Sequence, residues 1–297
     1  MFTSPFLIKK NIVVVSDFFI EQLSGGAEMT LETLIQKISN KYNIYKINSL
    51  NLSLENLNKI NESLNNPEFL FCNIANLGAE TLINIPHLIK KYSIVECDYK
   101  YCKYRSEDLH KFTVGQDCDC ADNSSLNTLI SNFYSHSKNL FWMSKNQMML
   151  TNKKLDIKGA NQIVLGSLFL KEHIDYINEI KNNSSIKRNN KFVILKSPSW
   201  VKGYENALNY CKHNQLEYEE VWGLDYRSLL MKLRSSKGLV YLPAGLDTCP
   251  RLVIEAMMLG CSLILNEKVQ IKDEEWLNED KINSLFTMQE KIIKETF

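Results

Sequence analysis

Residues 237–265 read KGLVYLPAGLDTCPRLVIEAMMLGCSLIL, a strand, a loop, a helix and a second strand. Residues 238–242 are a short apolar run closed by Pro243, the pattern of a buried strand. Pro250 suits a first helical position, where its missing N–H is not needed. Leu252, Val253, Ala256, Met257 and Leu259 then recur at helical spacing, and Gly260 stands where a helix stops. Residues 262–265 complete a β-α-β unit.

Two carboxylates bracket this turn. Asp247 lies in the loop before the helix, and Glu255 lies more than a turn inside it among apolar neighbours. A buried acid is costly unless something binds it. Sugar and ribose hydroxyls are suitable partners, because an ionised carboxylate accepts hydrogen bonds from paired OH groups. Thr248, Cys249, Pro250 and Arg251 stand at the helix start, where unpaired N–H groups and the positive dipole end favour an anion. One β-α unit can therefore hold sugar hydroxyls, a phosphate and a ribose. The plainer reading is an ordinary β-α-β unit with a surface acid and a capping acid.

The run from Asp247 to Met257, followed by Gly260, resembles the E-x7-E segment of retaining GT-B glycosyltransferases. That group includes bacterial mannosyltransferases and the sucrose and glycogen synthases. Its usual form is close to E-x-x-P-x-x-x-x-E-A-M and then G. Pro250, Glu255, Ala256, Met257 and Gly260 fit, while Asp247 stands where the first Glu is expected. The resemblance implies an α/β fold of two Rossmann-like domains whose parallel sheets face a cleft. It also implies a hexosyltransferase-like enzyme using a UDP- or GDP-sugar, with Glu255 at the ribose and Asp247 at the transferred sugar.

Composition agrees with two ordinary domains. The chain has 297 residues, 44% of them hydrophobic, with Lys+Arg 35 against Asp+Glu 34 and a net charge of +1. Such a balance gives no global attraction to nucleic acid or anionic membrane. Eight cysteines in a chain this long fit a reducing compartment better than a disulfide scaffold. The opening MFTSPFLIKKNIVVV has only short apolar runs, so the expectation is a cytoplasmic protein with no transmembrane segment.

The N-terminal half alternates strands near 11–16, 43–49, 69–73, 93–97, 139–143 and 162–165 with helices, the pattern of a parallel sheet covered on both faces. After the first strand, Ser24-Gly25-Gly26-Ala27-Glu28 leads into a helix. Paired glycines let backbone approach a ligand. This is not the dinucleotide fingerprint G-x-G-x-x-G, but it resembles the G-G-A-E found there in many retaining GT-B enzymes. Gly25 and Gly26 are accordingly expected across the cleft from the donor phosphates.

In the second half, strands are expected at 191–196, 217–221, 238–242 and 262–265. Lys196 ends the first of these and Lys202-Gly203 opens the next helix, so both lysines can face a phosphate. In the family a basic residue and a Lys-Gly at these places contact the diphosphate, with Lys196 here replacing the commoner Arg. Trp222-Gly223 ends the following strand, where the family holds the base. Trp222 reads first as a core aromatic and second as a stacking surface. The expected divisions are an acceptor domain at 1–168, a donor domain at 169–282, and a helix at 283–297 crossing back. The polar run 181–190 reads as a solvated loop.

Residues 96–123, ECDYKYCKYRSEDLHKFTVGQDCDCADN, read as an unusually long loop. Its lysines and arginine suit an acceptor-binding loop, with Asp98 or His110 orienting the acceptor hydroxyl. Cys102, His110, Cys118 and Cys120 are chemically able to bind zinc, although Cys-x-Cys is tighter than the usual Cys-x2-Cys. A loop of free cysteines is the plainer reading.

The expected catalytic set is Asp247, Glu255, Lys202 and Lys196. No cofactor and no donor-site metal are expected, because fixed positive groups stabilise a leaving diphosphate. The acceptor is left open among glycan, lipid-linked sugar, small metabolite, protein and modified DNA base. A rival reading is a catalytically inactive GT-B protein that binds a nucleotide sugar or acts as a scaffold. Another is a sugar-nucleotide epimerase, which would need acid and base groups near the sugar that the sequence does not offer.

Overall fold

The computed structural model describes residues 9–122 and 124–297. Residues 1–8, part of the opening segment, and Asn123, at the end of the long loop, lie outside the described residues. The first sheet has six parallel strands: β1 Lys10–Ser16, β2 Tyr42–Asn48, β3 Glu68–Cys72, β4 Tyr92–Glu96, β5 Asn139–Trp142 and β6 Asn161–Val164. Their order is β2-β1-β3-β4-β5-β6. Val13 of β1 pairs with Tyr45 on one side and Phe69 on the other. Residues 12–15 are buried on both faces, as a continuous β-branched run requires. The helices joining these strands are α1 Gly26–Ile38, α2 Leu54–Ser63, α3 Ala79–Leu88, α4 Glu107–Val114, α5 Ser124–Ser135 and α6 Lys145–Lys154.

The second sheet is also parallel, with β7 Phe192–Leu195, β8 Tyr218–Val221, β9 Gly238–Tyr241 and β10 Ser262–Leu265 in the order β10-β9-β7-β8. Its helices are α7 Lys171–Asn182, α8 Tyr204–His213, α9 Tyr226–Ser235, α10 Arg251–Met258 and α11 Ile282–Thr296. Every residue of α10 is buried. One apolar cluster joins the two sheets' coverings, running from Ile12 and Leu31 through Leu165 and Leu168 to Val193, Val253 and Leu285. At the far end, α11 lies against the first sheet. The Phe297 ring stacks on Phe141 at 5.8 Å and Tyr42 Oη donates to the Phe297 carbonyl at 3.2 Å. No helix among the described residues is long and apolar enough to cross a membrane.

Each expected strand is present within a residue or two. Two helices were not expected. Inside the stretch read as a loop, α4 is capped by the Ser106 hydroxyl, which accepts from Leu109 N–H, carries Glu107 and Asp108 in its first turn, and stops at Gly115 with φ 79°. These are ordinary start and stop signals, obscured by the crowd of tyrosines and cysteines around them. The other is α7, whose Ile174, Ile177 and Ile180 recur every third residue just after the place read as a domain boundary. The polar run 181–190 is mostly exposed, as expected. From it Arg188 donates through Nη1 to the Ser236 carbonyl at 2.6 Å and through Nη2 to the Leu259 carbonyl, closing the C-terminal ends of α9 and α10.

Candidate donor site at the interdomain cleft

The strand order reverses between β7 and β9 in the second sheet, and ligands of open α/β sheets collect beyond the strand ends at such a point. Two loops meet there, 196–203 after β7 and 242–250 after β9. They meet closely because of Gly203. Its φ is 66°, and a Cβ at this position would lie 2.0 Å from the Leu242 carbonyl oxygen. Only glycine combines that conformation with that approach. The approach sets Lys202 beside Asp247, with Nζ 2.7 Å from Oδ2.

Asp247 is held rigidly. Its backbone bridges to the strand-like segment at Val269, through Asp247 N–H to the Lys268 carbonyl at 2.9 Å and Gln270 N–H to the Asp247 carbonyl at 3.0 Å. The Tyr241 hydroxyl donates to the same carboxylate oxygen as Lys202. Burial, and then the neighbouring Asp247 charge, push the Tyr241 phenol well above its ordinary pKa, so it remains a donor.

The helix that follows carries a buried ion pair. Arg251 Nε lies 3.5 Å from Glu255 Oε1, and both side chains are buried. Arg251 also stacks over Phe169, its guanidinium carbon 4.0 Å from the ring centroid, and donates to the Leu168 carbonyl. Tyr226, at the start of α9, and His173, on α7, close over the pair with their rings 4.7 Å apart. Burial raises the Glu255 pKa, and Arg251 opposes that only in part. Among the described residues, five buried atoms here lack a well-formed hydrogen bond: His173 Nδ1, Tyr226 Oη, Arg251 Nε and Nη2, and Glu255 Oε1. Such a concentration is unusual, because buried polar groups are nearly always paired.

The first domain supplies the facing wall. Thr248 Oγ1 donates to the Cys97 carbonyl at 3.0 Å, and Ser167 Oγ donates to the Cys249 carbonyl at 2.8 Å. Gly26 approaches Arg251, so a Cβ there would sit 3.6 Å from Arg251 Cδ. Gly25 is the residue before α1, and a side chain on it would collide with the Glu28 carboxylate. Glu28 itself is buried, and that burial raises its pKa against hydrogen bonds from its own backbone, Asn73 and Gly25. At the end of β4, Asp98 is clamped by Arg105, with Nε to Oδ1 and Nη2 to Oδ2 both 2.8 Å. Burial works against the charge on Asp98, yet Lys100 and Arg105 outweigh it and hold the carboxyl below its ordinary pKa. Glu96 behind it is fully buried, pairs with Lys100 at 2.7 Å and accepts from Tyr134. A cavity of about 240 Å³ lies between the walls, lined by Asp98, Tyr104, Arg105, Lys202, Asp247 and Thr248 among others. A larger one, about 480 Å³, lies at the opposite ends of the strands around Lys10 and Glu68, away from every expected site residue.

The expected site residues therefore fall into three groups. Asp98, Lys202, Asp247 and Thr248 share one cavity, while Gly26, Arg251 and Glu255 meet beside it, with Gly25, Cys249 and Pro250 in the adjoining turns. Lys196 stands apart from the cavity lining: it is exposed, pairs with Glu220 and lies over the Tyr204 ring at 5.6 Å. Trp222 corrects the sequence reading, since it is 56% exposed and not a core aromatic. It sits on the surface because Gly223, with φ 67°, turns the chain immediately after β8. His110 does not line the cavity either; it is buried among cysteines. Sequence reasoning missed Tyr241, Tyr226 and His173. Nothing in their local pattern marks them, because each joins the site through the tertiary fold.

Two Rossmann-like domains with parallel sheets, facing each other across a cleft, define the GT-B fold. No family model matches the sequence, and no curated protein matches it significantly. Solved structures do match it. A sucrose-phosphate synthase from Thermosynechococcus elongatus superposes with a TM-score of 0.59 at 8% identity, over 97% of this chain and 95% of that one. A UDP-forming α,α-trehalose-phosphate synthase from Burkholderia xenovorans gives 0.59 at 6% identity, over 98% of each chain. Anabaena Alr3699/HepE in complex with UDP-glucose gives 0.55 at 10% identity, over 96% of this chain and 90% of that one.

Proposed function

We propose that this chain is a glycosyltransferase that moves a sugar from a nucleotide sugar to an acceptor with retention at the anomeric carbon. One observation carries the reading: Lys202, Asp247 and Thr248, beyond the strands of the second sheet, face Asp98 and Arg105 of the first across a single cavity. The adjoining start of α10, whose capping residue Pro250 offers no side-chain cap, lies against Gly26. That arrangement can take a diphosphate at the helix start, where backbone dipoles favour an anion. The ribose belongs at Glu255, whose Oε1 has a long ion-pair contact to Arg251 but no well-formed hydrogen bond and can accept from a hydroxyl. The transferred sugar belongs at Asp247, and the base beside Trp222 and Gly223. The fold's similarity to a sucrose-phosphate synthase, and to a structure holding UDP-glucose, supports a nucleotide sugar as the donor.

In this reading Lys202 balances the charge that develops on the departing diphosphate. Lys196 joins it only by leaving Glu220. The acceptor enters from the Asp98 and Tyr104 side, and its hydroxyl attacks the face from which the diphosphate departs. Closure of the two domains over the donor would exclude water and limit hydrolysis.

Thermal unfolding with UDP, GDP, ADP and CMP, run on the wild type and Glu255→Ala in parallel, tests the site. A nucleotide at a hundred times its Kd adds about 2.7 kcal/mol. The expected outcome is that one nucleotide stabilises the wild type and loses most of its effect on Glu255→Ala. No stabilisation by any of them removes the donor-site reading. With the nucleotide known, the anomeric coupling of transferred sugar in the NMR spectrum decides retention.

A further inference from the structure

We propose that Cys102, His110, Cys118 and Cys120 form a structural zinc site, separate from the cleft, that fixes α4 and the loop around it in the shape that packs on the second domain. In sequence the four make the pattern C-x7-H-x7-C-x-C, without the two close pairs of common zinc modules. The fold brings them together regardless. One ligand atom from each lies within 4.8 Å of all the others, and Cys102, His110 and Cys120 are buried.

The distances suit one tetrahedral ion. Zinc with Zn–S near 2.3 Å and Zn–N near 2.0 Å places its sulfur and nitrogen ligands roughly 3.5 Å apart. His110 Nδ1 is 3.3 Å from Cys120 Sγ and 3.8 Å from Cys102 Sγ. The ring already turns Nδ1 toward the sulfurs. The Tyr104 ring packs edge-on against the imidazole at 5.2 Å. Cysteine clustering alone does not make such a site: Cys72 and Cys97 also approach, at 3.8 Å, but belong to no cluster of three or more potential ligands among the described residues.

All four positions come from the protein, so the site is closed and its role structural. Cys102 lies in the loop before α4, His110 in the middle of α4, Cys118 in the segment after it and Cys120 in the single turn Cys120–Asp122. One ion would therefore fix a segment that otherwise has little regular structure. That segment reaches across the cleft. Asp108 of α4 accepts from Leu246 N–H at 3.0 Å and pairs with Lys268, and Phe112 stacks on Trp200 at 4.8 Å. Tyr104 and Arg105, between the first two ligands, line the cavity. The metal would hold one wall of the donor cleft without touching the ligand in it.

The test uses the full chain without an affinity tag, purified under reducing conditions. Metal analysis is expected to find about one zinc per chain. Cobalt titrated into the demetallated protein is expected to give the strong visible bands of tetrahedral thiolate ligation. Cys118→Ser/Cys120→Ser is expected to lose at least ninety per cent of the metal, while Cys211→Ser, in the second domain, keeps it. The proposal is overturned if reconstituted wild type stays far below one metal per chain, or if cobalt shows only octahedral absorption. It is equally overturned if the double variant retains its zinc, or if the non-reduced chain carries a disulfide among these cysteines. Should the double variant fail to fold, the wild-type cobalt spectrum decides alone.

Discussion

Lys202 Nζ and Asp247 Oδ2 lie 2.7 Å apart, so the phosphate-binding lysine and the sugar-binding carboxylate of the proposed site neutralise one another. Tyr241 donates to the same oxygen. The carboxylate is nearly buried and the lysine is about a third exposed, with side-chain exposures of 9% and 36%. An incoming donor would therefore replace a ready-made pair: its diphosphate takes over Lys202, and its sugar hydroxyls take over Asp247.

Removing Lys202 takes the charged partner from Asp247 but leaves the Tyr241 hydroxyl donating to it. Lys202→Ala is therefore expected to destabilise the chain by only about 0.5–1 kcal/mol, because the lysine is partly exposed. The double variant Lys202→Ala/Asp247→Ala is expected to be more stable than the two single effects added together, by about 0.5–3 kcal/mol. Urea unfolding of the four proteins measures this. Strict additivity would show that the two side chains do not interact in solution.

The pair also depends on Gly203. Gly203→Ala places a Cβ 2.0 Å from the Leu242 carbonyl oxygen, at a φ of 66° that side-chain-bearing residues rarely adopt. Strain and overpacking each contribute about 1–3 kcal/mol in such cases. A large loss in the urea midpoint, together with loss of nucleotide stabilisation, is the expected result. A variant as stable as the wild type would mean that the 196–203 and 242–250 loops are not packed as described.

The strands were legible because parallel β-strands buried on both faces must be continuous apolar runs, as 12–15 and 239–241 are. The helix after β9 was legible because Pro250 marks its start and Gly260 its end, although Pro250 proves to be the residue before the first turn and not in it. The two missed helices had adequate local signals, Ser106 with Gly115 and the isoleucines of α7, which a rich loop composition and an expected boundary outweighed. Trp222 was misplaced because an aromatic residue beside a strand is usually core, and only the turn at Gly223 puts it outside. Tyr241, Tyr226 and His173 were beyond reach for another reason. They act on Asp247 and Glu255 across tertiary contacts, and no spacing along the chain encodes those.

The tie between α4 and the donor loop has its own readout. Leu246 N–H donates to Asp108 at 3.0 Å, a charge-assisted hydrogen bond. Asp108→Ala removes the acceptor and also frees Lys268. Bonds of this kind contribute about 1.5–3 kcal/mol, so the Leu246 amide is expected to exchange with deuterium at least roughly tenfold faster, a factor that corresponds to about 1.4 kcal/mol. Amides in β1, remote from this contact, are expected to keep their rates. Unchanged exchange at Leu246 would mean that another acceptor holds the loop.

Glu255 gives stability a particular dependence on pH. Burial raises its pKa in the folded chain above the ordinary carboxylate value of 4.5, against partial opposition from Arg251. Between that value and the higher folded one, the native state holds a proton that the unfolded state has released. Stability from this group is therefore fully present below pH 4.5 and is lost as pH rises through the folded pKa. Every tenfold difference in proton affinity between the folded and unfolded states is worth about 1.4 kcal/mol. Glu255→Gln cannot ionise, so the stability of the wild type relative to this variant is expected to fall as pH rises through that window and then level off. Glu28 and Glu96 are also raised by burial but are common to both proteins, so they cancel in the comparison. A nucleotide bound through its ribose hydroxyls stabilises the ionised carboxylate, so its affinity is expected to increase over the same pH range in the wild type and not in Glu255→Gln. Urea unfolding and nucleotide titration across pH 4.5 and above measure both. Parallel stability curves for the two proteins would remove the buried-acid reading of Glu255. Parallel affinity curves with divergent stability curves would keep the buried acid and move the ribose elsewhere.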